Sequence, residues 1–167
     1  MWPLLQIRPV TTGDIIATGM LMIYDLNANP LNSNEWAFPL TECFHIASFA
    51  LSIGTIAVVD LRLLGLGLLK QSPGQLVKDT GLWTLAGLLI VITSGLAIFS
   101  SDPIHYYYNT SFRIKILALT LGIIYNYTIH RKVAFAGASP GVNFVTAAVS
   151  VLIWLSVVFS GLFIAFI

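Results

Sequence analysis

Charge is scarce in this chain: eight Lys and Arg and seven Asp and Glu in 167 residues, 9% of the total. Typical soluble domains carry about 25%, and here 57% of the residues are hydrophobic. A water-soluble protein of this length has no interior large enough for that much apolar surface, so lipid is the expected solvent. The net charge of +1 argues against a nucleic-acid binder, whose affinity rests on clustered Lys and Arg. Cysteine is nearly absent as well. Cys43 stands alone, which excludes an intrachain disulfide and any metal site built on paired cysteines. The motifs of soluble enzymes are also missing: there is no P-loop, no Gly-x-Gly-x-x-Gly in a strand–helix setting and no nucleophile elbow. No signal peptide is expected, because Arg8 is followed by polar residues instead of an apolar run.

What the chain does have is long apolar runs. A hydrocarbon layer of ~30 Å takes roughly 20 helical residues to cross, and four segments qualify: about 38–69, 82–100, 111–133 and 142–167. In lipid every backbone amide must be satisfied within its own segment, so these runs predict helices. The expected fold is therefore all-α, an integral-membrane four-helix bundle over 38–167. Residues 1–37 are expected on the outer face, with a short interfacial helix over "IIATGMLMIY". That run of ten residues is too short to span. Breakers fall between the spans, in "KQSPGQ", "SSDPIH" and "GASPG".

The basic residues orient the bundle. Arg62, Lys70, Lys78, Arg131 and Lys132 flank the first and third loops, against Arg8, Arg113 and Lys115 on the other side. The positive-inside rule then puts the first and third loops in the cytoplasm and both termini outside. "TSGLAIF" in the second span and "FSGLFIAF" in the fourth echo one another. Small residues at such places predict close helix packing, or an old duplication of helix pairs.

The costly residues sort into two layers. His45 and Asp60 are fifteen residues apart on the first span, ~22 Å along a helix axis. Lys115 and His130 repeat that spacing on the third span, which runs in the same direction. The outer layer holds Glu42, His45, Arg113, Lys115 and, from the adjoining loop, His105. The inner layer holds Asp60, Arg62, Asn126, His130, Arg131 and Lys132.

Beside a quinone, substrate or proton site, two readings of the outer layer stay open. In one, His45 ligates the iron of a b-type haem, Glu42 orients its ring, Arg113 and Lys115 neutralise the propionates, and His105 offers a second ligand. In the other, the same residues are polar packing between helices without any cofactor. A di-metal site is disfavoured, because it needs two Glu-x-x-His copies and the chain has one. In the inner layer, Asp60 is expected to face His130 or Arg131. Arg62, about 200° further round the helix, points to the headgroups. A buried Asp facing a His is a helix lock or a proton path.

The string "FPLTECFHIASFALSIGTIAVVDLRLLG" resembles a family of small bacterial integral-membrane proteins, a domain of unknown function. The matching residues are Pro39, Glu42, His45, Gly54 and Asp60–Gly65, with Gly95, Lys115 and Asn126 later in the chain. The resemblance covers roughly residues 30–135 and implies an architecture and a residue set. The chain is also broadly similar to cytochrome-b-type membrane subunits, but departs from their bis-histidine pattern, since no two spans offer histidines at equal depth.

Three functions follow as expectations. One is a membrane subunit of an electron-transfer complex holding haem b near the outer face, with quinone and other membrane or periplasmic subunits as partners. Another is a non-catalytic anchor subunit without cofactor. The third is a small proton-coupled transporter using Asp60 and His130.

Overall fold

The computed structural model describes residues 28–67 and 70–166, together with Thr12, Gly13 and Gly19. Of the helix expected over residues 15–24 only Gly19 is described, and the rest lies outside the described residues. The rest is an all-α four-helix bundle, with no strand among the described residues. After a one-turn helix α1 (Pro30–Ser33) comes α2 (Ala37–Leu63), then α3 (Pro73–Ser101) and a short connector α4 (Pro103–Tyr108). The third span is assembled from α5 (Thr110–Tyr125), a π-helical turn (Asn126–His130) and α6 (Arg131–Ala136). The last is α7 (Pro140–Phe163), which closes in a 3₁₀ turn (Ile164–Phe166). All four spans are long and apolar enough to cross a membrane, and the protein is a multi-pass membrane protein.

Boundary residues explain where the spans stop and start. The first helix ends at Leu63 instead of continuing to Leu69. Gly65 adopts a left-handed φ of 75°, and the amide of Leu66 bonds back to the carbonyl of Leu61 at 2.9 Å. This is the glycine stop that closes many helices. The second span begins at Pro73, earlier than Leu82. Ser72 caps it by accepting from the Gln75 amide at 3.2 Å, and Pro73 suits the first turn, where its missing N–H is not needed. Gly137 repeats the left-handed stop, with φ of 59°, ahead of Pro140.

At the opposite end, asparagine amides satisfy carbonyls that helix ends leave unpaired. Asn32 donates to the Ser101 carbonyl at 2.8 Å, and Asn29 donates to that of Ser100 at 2.8 Å. Asn109 donates to Ile164 at 3.1 Å. These bonds fasten α1 to the end of α3, and the start of α5 to the end of α7.

Packing runs α3–α2–α7–α5, and the ring closes where α6 leans on the start of α3. There Gly74 meets α6 so closely that a Cβ would lie 3.2 Å from the Ala134 carbonyl. Two apolar clusters form the interior. Val59, Leu63, Leu76, Val77, Ala134 and Ala147 pack at the end with the short basic loops, hereafter the basic end. Ile56, Leu88, Trp154 and Val157 pack at mid-depth. Between α2 and α3 the contact is almost backbone to backbone: a Cβ on Gly87 would sit 2.9 Å from the Ser48 carbonyl and would collide with Ser52. In lipid, which is as apolar as leucine, such close approach of small residues is a main source of helix affinity.

Candidate functional site

Asp60 lies on the last turn but one of α2 and His130 closes the π-helical turn of the third span. They meet inside the bundle, with His130 Nε2 2.7 Å from Asp60 Oδ1. Both residues are almost completely buried, at 1% and 3% exposure. From α7, the Ser150 hydroxyl donates to the second carboxylate oxygen, Oδ2, at 2.9 Å. Three helices thus contribute to one polar knot. The order is Ser–Asp–His with the carboxylate in the middle, so the imidazole does not touch the serine hydroxyl. This is not the arrangement of a nucleophilic triad, in which histidine stands between.

A π-helical turn fits one extra residue into the helical ring, which rotates the face that follows it. Here it lies on the segment that delivers Asn126 and His130 to the interior, both buried. The other ring nitrogen, His130 Nδ1, is buried with no hydrogen-bond partner, and so is the Tyr127 hydroxyl. Both residues line a half-open cavity between α2, α3 and the π-helical turn, with about 20 Å³ of room for the centre of a water-sized sphere. Thr80, Gly81, Thr84 and Asn126 complete much of its wall. Arg131 lines it as well, its guanidinium 5.4 Å from the centre of the Tyr127 ring. Close by, the Tyr125 hydroxyl donates to the Thr146 carbonyl at 3.0 Å. Arg62 stands apart from Asp60: its Nε donates to the Gln71 carbonyl at 2.6 Å, outside the knot.

The outer layer has a different character. His45 Nδ1 lies 2.9 Å from the Ser94 hydroxyl, and its Nε2 lies 3.5 Å from Lys115 Nζ. The two Ser-Gly echoes find their meaning here. A Cβ on Gly95 would come within 3.2 Å of the His45 ring, and one on Gly161 within 3.6 Å of Lys115 Nζ. Gly95 makes room for the His45 ring, while a Cβ on Gly161 would lie at ordinary contact distance from Lys115.

Glu42 and Arg113 are exposed on the bundle surface and make no ion pair among the described residues. His105 is exposed on α4, edge-on to Tyr106 at 5.6 Å between ring centres. The Tyr106 hydroxyl is held above its ordinary pKa of 10.0, first by burial and then by the negative charges of Glu42 and Asp102.

A haem at His45 does not fit these residues. Ser94 and Lys115 flank both ring nitrogens, and neither Glu42 nor His105 is among the partners of the ring. Among the described residues, no three His, Cys, Asp or Glu side chains gather as metal ligands do.

Sequence reasoning missed Ser94, Ser150, Tyr127 and the π-helical turn. A signal for Ser150 exists in retrospect: Thr146, Ser150, Trp154 and Val157 follow a helical repeat, and all are buried.

A family model described as "Family of unknown function (DUF6644)" matches residues 37–167. No curated protein and no solved structure matches the chain.

Proposed function

Because the chain belongs to this family of unknown function, its activity has to be read from its own residues, and we propose a proton-handling membrane protein with Asp60 and His130 as the proton-exchanging pair. The observation that carries this reading is the buried His130 Nδ1 without a partner, while Nε2 bonds Asp60 at 2.7 Å. A pair kept only as cement between helices has no use for a ring nitrogen left open to another proton carrier. A histidine that takes up and releases a proton needs one nitrogen open and a carboxylate to hold the imidazolium.

The surroundings support the same chemistry. Ionisable groups inside a membrane mark proton relays, and π-helical turns occur frequently at functional sites. The Ser150 hydroxyl holds the carboxylate toward the imidazole. By the positive-inside rule the basic end faces the cytoplasm and the termini face outward, so the pair exchanges with the cytoplasmic phase. His45 and Lys115 form the second polar station, toward the other face. Between the stations α2 and α3 meet almost backbone to backbone at Ser52 and Gly87, and we put the barrier to passage there.

The test is proton movement in proteoliposomes loaded with a pH-sensitive dye, driven by a potassium diffusion potential. The wild-type protein should acidify the lumen faster than empty vesicles do, and Asp60→Asn should fall to the empty-vesicle rate. Equal rates for wild type and empty vesicles, or an unimpaired Asp60→Asn, overturn the proposal. An inert anchor subunit predicts that equality.

A further inference from the structure

The cavity beside the pair gives the proton a carrier. We infer that it is a water site, and that the water bound there passes protons to and from His130 Nδ1. This inference rests on the proton-handling reading. A cavity needs about 10–15 Å³ open to a water-sized sphere, and two to four polar partners, to hold a water. This one has about 20 Å³, and its wall includes two residues with unsatisfied buried atoms, His130 and Tyr127.

The hydrogen-bond inventory closes around one water. The Tyr127 hydroxyl and the Asn126 amide can donate to it. The His130 Nδ1 lone pair accepts from it when Nε2–H points to Asp60. The Thr80 hydroxyl donates to the Leu76 carbonyl at 2.8 Å and that of Thr84 to the Thr55 hydroxyl at 2.8 Å, so each has spent its proton and can offer a water only a lone pair.

The step is a plain proton transfer. A hydronium in the cavity gives H⁺ to Nδ1 and is left as water, and the imidazolium is balanced by the Asp60 carboxylate. Release is the reverse. The charged surroundings favour this pairing. Asp60 from α2 is the carboxylate facing His130, α7 contributes the Ser150 hydroxyl, and Tyr125 bonds Thr146. On α3, Lys78 and Asp79 are exposed. Arg131 is the one further charge at the cavity wall, drawn onto the Tyr127 ring.

Gly81 allows a clean test, because a Cβ there would meet nothing within 4 Å. Gly81→Leu should fill the cavity, and Gly81→Ser should leave room and a hydroxyl. Infrared difference spectra of the wild type across a pH jump should show a water O–H band that shifts in H₂¹⁸O. Gly81→Leu should lose that band and slow the dye-reported proton movement at least tenfold, while Gly81→Ser stays within about twofold of wild type. A wild-type spectrum insensitive to ¹⁸O, or a folded Gly81→Leu protein with wild-type rates, overturns the water site. If Asp60→Asn abolishes proton movement in those same experiments, the pair survives and only the water is lost. If Asp60→Asn changes nothing, the pair itself fails.

Discussion

Replacing His130 and Asp60 by leucine, singly and together, should produce a strongly non-additive cycle. The side chains are 1% and 4% exposed and their polar atoms lie 2.7 Å apart. His130→Leu leaves a carboxylate inside the bundle with Ser150 as its one hydrogen-bond donor among the described residues. Removing one member of a buried pair typically costs about 3–5 kcal/mol. Asp60→Leu strands a neutral imidazole N–H and the Ser150 hydroxyl, for about 1–3 kcal/mol. The double variant buries neither the carboxylate nor the imidazole and strands only the Ser150 hydroxyl, and replacing a whole buried pair by apolar side chains is often neutral or stabilising. The expected order of stability is therefore double variant above Asp60→Leu above His130→Leu. Unfolding in mixed micelles, followed by circular dichroism along a detergent titration, measures all four corners. A cycle whose single costs simply add, or a His130→Leu protein within about 0.5 kcal/mol of wild type, refutes the reasoning.

Other consequences can be checked the same way. Gly87→Ala forces α2 and α3 apart at the Ser48 carbonyl and Ser52, and should cost about 1–3 kcal/mol as overpacking does; micellar unfolding within 0.5 kcal/mol of wild type argues against the seal. Gly65→Ala places a side chain at φ of 75° and should cost about 1–2 kcal/mol, with no change in proton movement. Tyr106 should ionise only above pH 10, because burial and the charges of Glu42 and Asp102 both disfavour the phenolate. The alkaline absorbance difference between wild type and Tyr106→Phe isolates its titration. Glu42→Gln should move that titration down toward the ordinary value, and an unmoved curve contradicts the assigned cause.

The spans were legible because the membrane imposes a long apolar run on each. Their ends were less so: Leu66–Lys70 reads as apolar continuation, yet a left-handed Gly65 stops the helix first. Asp60 and His130 could be paired on paper because both are costly in lipid and the first and third spans run in parallel. Serine gives no such warning. In these helices Ser48, Ser52 and Ser160 return their hydroxyl protons to carbonyls of their own helix. A sequence cannot say that Ser150 turns to another helix instead. The π-helical turn is equally silent, since Asn126–His130 carries no residue that requires it. The outer layer misled for a physical reason: Glu42 shares a helix with His45, yet it is Ser94 and Lys115 from neighbouring helices that engage the ring.

The most direct measurement is the ¹⁵N spectrum of His130 in lipid bilayers, with histidine labelled and the resonance assigned by His130→Gln. Between alkaline and acidic buffer, the account predicts that Nδ1 passes from an unprotonated to a protonated shift while Nε2 keeps its proton toward Asp60, and that Asp60→Asn suppresses the change. An Nδ1 resonance that stays fixed across the pH range in which the protein moves protons would contradict it.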